Sequence, residues 1–475
     1  MVETKLTGTS VQAKSFTEHT TNTQGEDLVN GTRASRKAKQ PDFVANALNK
    51  AELQASLEQS GASASLISGL LSSATFNNLS QTEKMQYVRV IKEALKADDS
   101  QLTERSLYML ATRQVDGKSA LAQTDRGEQA KSLVANLHAL ATGKVISPLA
   151  DKQKDILTSL LQEVANPDQE INQGKKYASC VVTTGFTTMA RQHPAEYARL
   201  VADITMHGRA ELPGAAQTGE AGMGLNYVSW AATSEALVGR SITESLTQTA
   251  ALKMSNGVEN GLRKGDAEQF YETCFGMPCT RLDAAGLDLE SFVSTMAGVA
   301  ASDGGINMLS MQWARKGSGI HLNHAIEVTG VQGAGESAEI LFRNPMGKEF
   351  QVPEFLHVRV VDKEKAIYAI SAVELHSRFN YLIATDQNGA FGRTPGWEVA
   401  PEGLTLFVMD DPLLALLGQD DQRRKEAEER EKQLKLMGSN KAESNTSALN
   451  TQEQTKRNNN KDPRVSQLTA LNDRE

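Results

Sequence analysis

Apolar residues recur at helical spacing through the first third of the chain. Met85, Val88, Ile91 and Leu95 fall on one face of a helix, and Ser80 with Glu83 makes a capping box at its start. Ile156, Leu157, Leu160, Leu161 and Val164 form a second stripe, and the same period predicts helices over 43–58, 103–112 and 128–141. Asn166-Pro167-Asp168 stops the pattern, because a proline disfavours helical geometry in the residue before it. An all-helical module of about five helices is therefore expected over residues 42–170.

Residues 171–300 stay mostly helical in pattern, broken by a glycine-rich run at Gly208–Gly224. After Gly304-Gly305 the period changes to two. His324, Ile326 and Val328 alternate with Ala325, Glu327 and Thr329, which predicts a strand. Gly333-Ala334-Gly335 predicts a hairpin loop and Glu339–Arg343 the returning strand. Phe350–Val352 and Lys365–Ile370 read as further strands, and Ser371 as the cap of a short helix containing Val373, Leu375 and Phe379. Helices followed by strands predict an α+β fold.

The two ends follow neither period. Residues 1–41 are rich in Thr, Ser, Gln, Asn and Lys, and cannot bury enough apolar area to offset their ordering entropy, so disorder is expected there. Residues 411–475 hold the charged run Gln422–Lys432, which suits a solvated helix with i,i+4 pairs, and then a loose polar tail. Between them, 171–410 is expected to form one domain after the helical module.

Charge and cysteine usage narrow the class. With 50 basic and 58 acidic residues the net charge is −8, and no basic patch interleaves with aromatics, so no nucleic-acid partner is expected. No apolar run approaches the length of a membrane span. Met1-Val2-Glu3-Thr4-Lys5-Leu6 lacks the apolar core of a signal peptide, so cytoplasmic synthesis is expected. Three cysteines are too few for a disulfide framework. Cys274 and Cys279 have no partner pair to complete a zinc site and read as ordinary thiols. The run Gly330–Gly335 precedes no helix and reads as a loop. Trp230 and Trp313 read as core aromatics, with Trp313 near the histidine strand and able to line a cleft.

The candidate chemistry lies in two segments. Gln173-Gly174-Lys175-Lys176-Tyr177-Ala178-Ser179-Cys180 leads into a helix whose N-terminus would carry the thiol. Asn323-His324-Ala325-Ile326-Glu327-Val328 is followed by Ile340-Leu341-Phe342-Arg343-Asn344-Pro345-Met346-Gly347 across one hairpin. A thiol needs a base to become a good nucleophile, and the base needs a third group to hold its ring. A helix N-terminus and a nearby histidine predict a lowered Cys180 pKa. His321 is a rival base, on the other strand face from His324.

Cysteine, histidine and asparagine in this order resemble the papain-like cysteine peptidases, and the Arg343-Asn344-Pro345-Met346-Gly347 form is closest to the calpains. The similarity covers roughly 171–350, and His324 follows Cys180 at the spacing of about 130–150 residues expected for that order. The resemblance implies a papain-like domain with Cys180 as nucleophile, His324 as base and Asn344 as orienting residue. It implies a role for the Gln173 amide in the oxyanion hole with the Cys180 N–H. The chain departs from the family in three places. Gln173 stands one residue further from the cysteine than usual, Val181 replaces the aromatic after it, and Met346 replaces the tryptophan that shields the His–Asn bond. The implied activity is amide or peptide hydrolysis through a thioester, on a protein or peptide substrate and without a cofactor, with Gly208–Gly224 as one wall of the groove. The same triad also runs glutamine deamidation and transamidation, and a non-catalytic binding or structural protein is the remaining alternative. A polar leaderless N-terminus beside such a domain also resembles bacterial effectors exported by specialised secretion machinery.

Overall fold

The structure is a computed structural model that describes residues 50–385 apart from 98, 175–177, 215–222, 256–260, 263, 285, 303–304, 315–321 and 348–351. The expectations for residues 1–41 and 411–475, for His321, for Phe350 and for residues 215–222 of the Gly208–Gly224 wall lie outside the described residues.

The first part is helical: α1 (Lys50–Gln59), α2 (Ala64–Ser72), α3 (Ala74–Asn77), α4 (Gln81–Ala94), α5 (Ser100–Thr112), α6 (Leu133–Thr142), α7 (Gln153–Ala165) and α8 (Pro167–Glu170). A short ribbon, β1 (Gln114–Val115) with β2 (Lys118–Ser119), interrupts it. The capping box opens α4 as expected: Ser80 Oγ accepts the Glu83 N–H at 3.2 Å and the Glu83 carboxylate accepts the Ser80 N–H at 2.9 Å. The helices are more numerous than the sequence suggested, because Ser63 and Ser73 each cap an added start, while Asp99 opens the expected helix at Ser100.

The chain continues through α9 (Cys180–Gln192), α10 (Pro194–His207), the ribbon β3 (Arg209–Glu211) with β4 (Gly224–Asn226), α11 (Ile242–Met254) and α12 (Lys264–Phe275). It then forms β5 (Cys279–Asp283), α13 (Leu289–Ala301), β6 (Asn307–Gln312), β7 (Asn323–Gln332), β8 (Glu339–Arg343), β9 (Val358–Asp362), β10 (Ile367–Ser371), α14 (Ala372–His376) and β11 (Phe379–Thr385). The largest sheet is seven-stranded and antiparallel, in the order β5-β11-β6-β7-β8-β10-β9. The mixture of helix and sheet agrees with the α+β expectation.

Two details differ from the sequence reading. Val352 is outside any strand, and Phe379 opens β11 instead of closing the Ser371-capped helix. That helix ends at His376, and the run Phe379-Asn380-Tyr381-Leu382-Ile383 is better satisfied as a central strand between β5 and β6. Strands β5, β6, β9 and β11 carried too little alternation to stand out from the helical background.

The sheet separates two apolar cores. On one face Met308, Ala325, Tyr381 and Ile383 join a core that runs from Leu53 through Val164 to Phe186, Leu200 and Phe270. This core takes side chains from both sides of residue 170. On the other face Leu309, Ile326, Val328, Ile340, Phe342 and Leu382 pack with Phe292 and Met296 of α13. Helix α9 is thus buried along its length between the helical layer and the sheet, with Val181 through Ala190 all buried.

Candidate active site

Cys180 is the first residue of α9, with Ser179 at the N-cap. Ser179 Oγ does not cap the helix; it donates to Gln248 Oε1 at 2.9 Å. First-turn N–H groups are therefore left for the thiol. Cys180 Sγ accepts from the backbone N–H of Ala325 on β7, and from those of Val181 and Cys180 itself. The sulfur is thus set beside the residue that follows His324.

The sequence predicted a lowered Cys180 pKa, and here the outcome differs. Burial pushes the thiol up, and the three N–H contacts offset only part of that. Burial also raises Cys274 and Cys279, the latter with help from Glu272 and Glu268. Burial thus favours the neutral thiol at Cys180.

His324 lies near the start of β7 and is 4% exposed. Burial lowers its pKa from 6.5 to about 4, opposed by a hydrogen bond to Asn344. His324 Nε2 lies 2.9 Å from Asn344 Oδ1, and the Met346 N–H donates to the same oxygen at 3.0 Å. A backbone N–H can only donate, so the atom it meets must be the amide oxygen. His324 Nε2 must then carry the proton, which leaves the lone pair on Nδ1. The Met346 N–H thereby fixes the histidine tautomer through Asn344.

Trp313 follows β6 directly and packs its ring on His324, with centroids 4.5 Å apart and planes tilted by 53°. It is buried and covers one side of the His324 ring from the residue after β6. The sequence put Trp313 near the histidine strand; the pairing of β6 with β7, which sets Met311 opposite His324, brings its ring onto His324.

Gln173 is buried, and its N–H donates to the Pro345 carbonyl at 2.8 Å. The next residue, Gly174, turns at φ +72, where a Cβ would come within 2.6 Å of Arg240 Cγ. The Asn344 loop and the segment entering α9 are therefore one unit. Cys180, His324, Asn344 and Gln173 all come to this neighbourhood; His321 lies outside the described residues.

Sequence reading missed a set of charged side chains beneath the site. Glu327, Arg343, Arg191 and Asp168 form ion pairs around the far end of α9. The available signal was a glutamate in the middle of an otherwise apolar strand. It also missed the buried carboxyls Glu163 and Glu244, which both contact Ser241 beside a polar cavity of about 290 Å³ lined by Glu170, Asn172 and Arg240. Among the described residues no group of three or more His, Cys, Asp or Glu side chains converges as a metal site, and no helix is long and apolar enough to cross a membrane.

No protein-family model matches the chain, and no curated protein matches it.

Proposed function

We propose that this chain is a papain-like cysteine hydrolase that cleaves amide bonds of a protein or peptide through a thioester at Cys180. The observation that carries this reading is the shared acceptor at Asn344 Oδ1, which makes His324 Nε2 a donor and leaves Nδ1 as a base. The half-buried thiol at the N-terminus of α9, against the N–H of Ala325, the residue after His324, supplies the nucleophile of this reading.

In this reading the thiol and imidazole are both neutral before substrate binds. Nδ1 of His324 takes the Cys180 proton as Sγ attacks the carbonyl carbon. The oxyanion forms near the first-turn N–H of α9, with Gln173 as the second donor. The carbon–nitrogen bond breaks, the imidazolium returns its proton to the leaving nitrogen, and the acyl group remains as a thioester. Water then attacks the thioester while His324 takes its proton, releasing the acid and the free thiol. Asn344 holds the ring through both halves and Trp313 keeps water from the His324–Asn344 bond.

Mass spectrometry of protein substrates treated with wild type and with Cys180→Ala tests this. New peptide termini that depend on Cys180 are expected. A Cys180-dependent mass increase at glutamine side chains, with the backbone intact, would replace peptide cleavage by deamidation. Identical outcomes for wild type and Cys180→Ala on a broad set of substrates would overturn the hydrolase reading in favour of a binding role.

A further inference from the structure

We infer that the partly buried network Asp168–Arg191–Glu327–Arg343 is a positioning device that sets Cys180 against His324 and Asn344. The inference rests on the hydrolase reading and concerns how its site is held. Each member belongs to a segment that carries a candidate residue. Arg191 stands at the end of the helix that Cys180 begins. Glu327 lies on the His324 strand, and Arg343 is the residue before Asn344. Asp168 stands in α8, which leads to Gln173.

The bonds join these segments in pairs. The Arg191 guanidinium forks onto Glu327, with Nη1 3.2 Å from one carboxylate oxygen and Nη2 on the other, and also reaches Asp168 at 3.1 Å. Thr188 of α9 donates to Glu327 at 3.4 Å. Arg343 is 2% exposed. It donates to Thr187 Oγ1 of α9 at 3.2 Å and to the carbonyls of Asp168 and Ile171 at 3.0 and 2.7 Å, and it pairs with the Asp168 carboxylate at 3.6 Å. Arg113, just after α5, closes the set by donating to the carbonyls of Ala190 and Arg191 at 3.0 and 2.6 Å.

Register gives the network its reach. Glu327 and Arg343 are direct partners across β7 and β8. A slip of one residue in either strand would turn that strand's side chains to the other face, and His324 or the Asn344 loop with them. Such a slip would also remove Glu327 and Arg343 from their partners on α9, leaving charges buried and unpaired. Buried ion pairs add little stability over apolar side chains, but they select one arrangement over its neighbours. Two cations and two anions, tied to four separate segments, suit that task. A geometric error of about 1 Å at the reacting atoms can cost a factor of roughly 100 in rate, so a brace of this kind acts on the chemistry without touching it.

The test needs no substrate. The rate of Cys180 alkylation by iodoacetamide at pH 7, resolved by peptide mass spectrometry, reads how well His324 assists the thiol. His324→Ala sets the unassisted floor. Glu327→Gln is expected to slow alkylation roughly tenfold or more toward that floor. Thr187→Val deletes only one acceptor of Arg343, and a smaller loss is expected, with the fold kept. Arg191→Gln combined with Glu327→Gln should be no slower than the slower single variant, as members of one unit behave. A purely structural role would lower the melting temperature and leave the rate per folded molecule unchanged. The inference is overturned if folded Glu327→Gln reacts within roughly twofold of wild type. If Glu327→Gln does not fold, Thr187→Val decides by the same criterion. Should His324→Ala itself react like wild type, the hydrolase reading fails; should His324→Ala slow while Glu327→Gln does not, only the network's role fails.

Discussion

Protonation of His324 is the perturbation that best probes the site. The ring is buried, and its pKa is lowered from 6.5 to about 4 by loss of solvent, against the opposing pull of Asn344. Each tenfold preference for the neutral ring corresponds to about 1.36 kcal/mol, so the fold disfavours the imidazolium by roughly 3 kcal/mol. A depressed folded pKa means that the unfolded chain binds the proton first as pH falls. Stability from this residue is therefore present above pH 6.5 and is lost as pH drops from there to about 4. Urea unfolding of wild type and His324→Gln across that window measures it. Other histidines titrate as well, His193 among them with a pKa also lowered to about 4. The difference between the two curves isolates His324 and should change by roughly 3 kcal/mol in favour of the variant toward acid. Nitrogen NMR of the imidazole supplies the second half of the test: Nε2 protonated and Nδ1 bare through neutral pH. Parallel unfolding curves, a His324 midpoint near 6.5, or a proton on Nδ1 of the neutral ring would refute the argument from burial and the Met346–Asn344 contact.

Asn344→Ala removes the acceptor that holds His324 Nε2, and should slow Cys180 alkylation and any hydrolysis roughly 10–100-fold, read by the same mass-spectrometric assay. Asn344→Asp keeps an acceptor for the ring and for the Met346 N–H, so it should retain more rate than the alanine variant while raising the His324 pKa, visible as a displaced acid limb of the pH profile. Glu163 is buried against Tyr197, Ser241 and Thr243, and burial raises its carboxyl from 4.5 to about 7. Its stabilising contribution is present below pH 4.5 and lost as pH rises through 7, so Glu163→Gln should gain stability over wild type between urea melts at pH 5 and pH 8, by a few kcal/mol on the order of 1.36 per pH unit.

The local elements of this protein are largely legible in its sequence. The Ser80–Glu83 box, the apolar stripe of α7, the alternation around His324 and the helix opened by Ser371 all rest on neighbours within a few residues, where propensity and period act directly. Cys180, His324 and Asn344, and the segments that carry them, also stood out by residue type. Other features depended on partners far along the chain. Phe379 became a strand because β5 and β6 offer pairing on both sides, a condition that no local window contains. Trp313 reached His324 through the β6–β7 register. The direction of the Cys180 shift was decided by tertiary structure as well: the helix N-terminus favours a thiolate, but packing α9 between two layers removes the solvent a charge requires. Arg343 and Glu327 gained their partners only when the sheet set them against α9. Local periodicity can name a residue's element and its chemistry. Its charge state and its partners follow from burial and register, which exist only once the whole chain is packed.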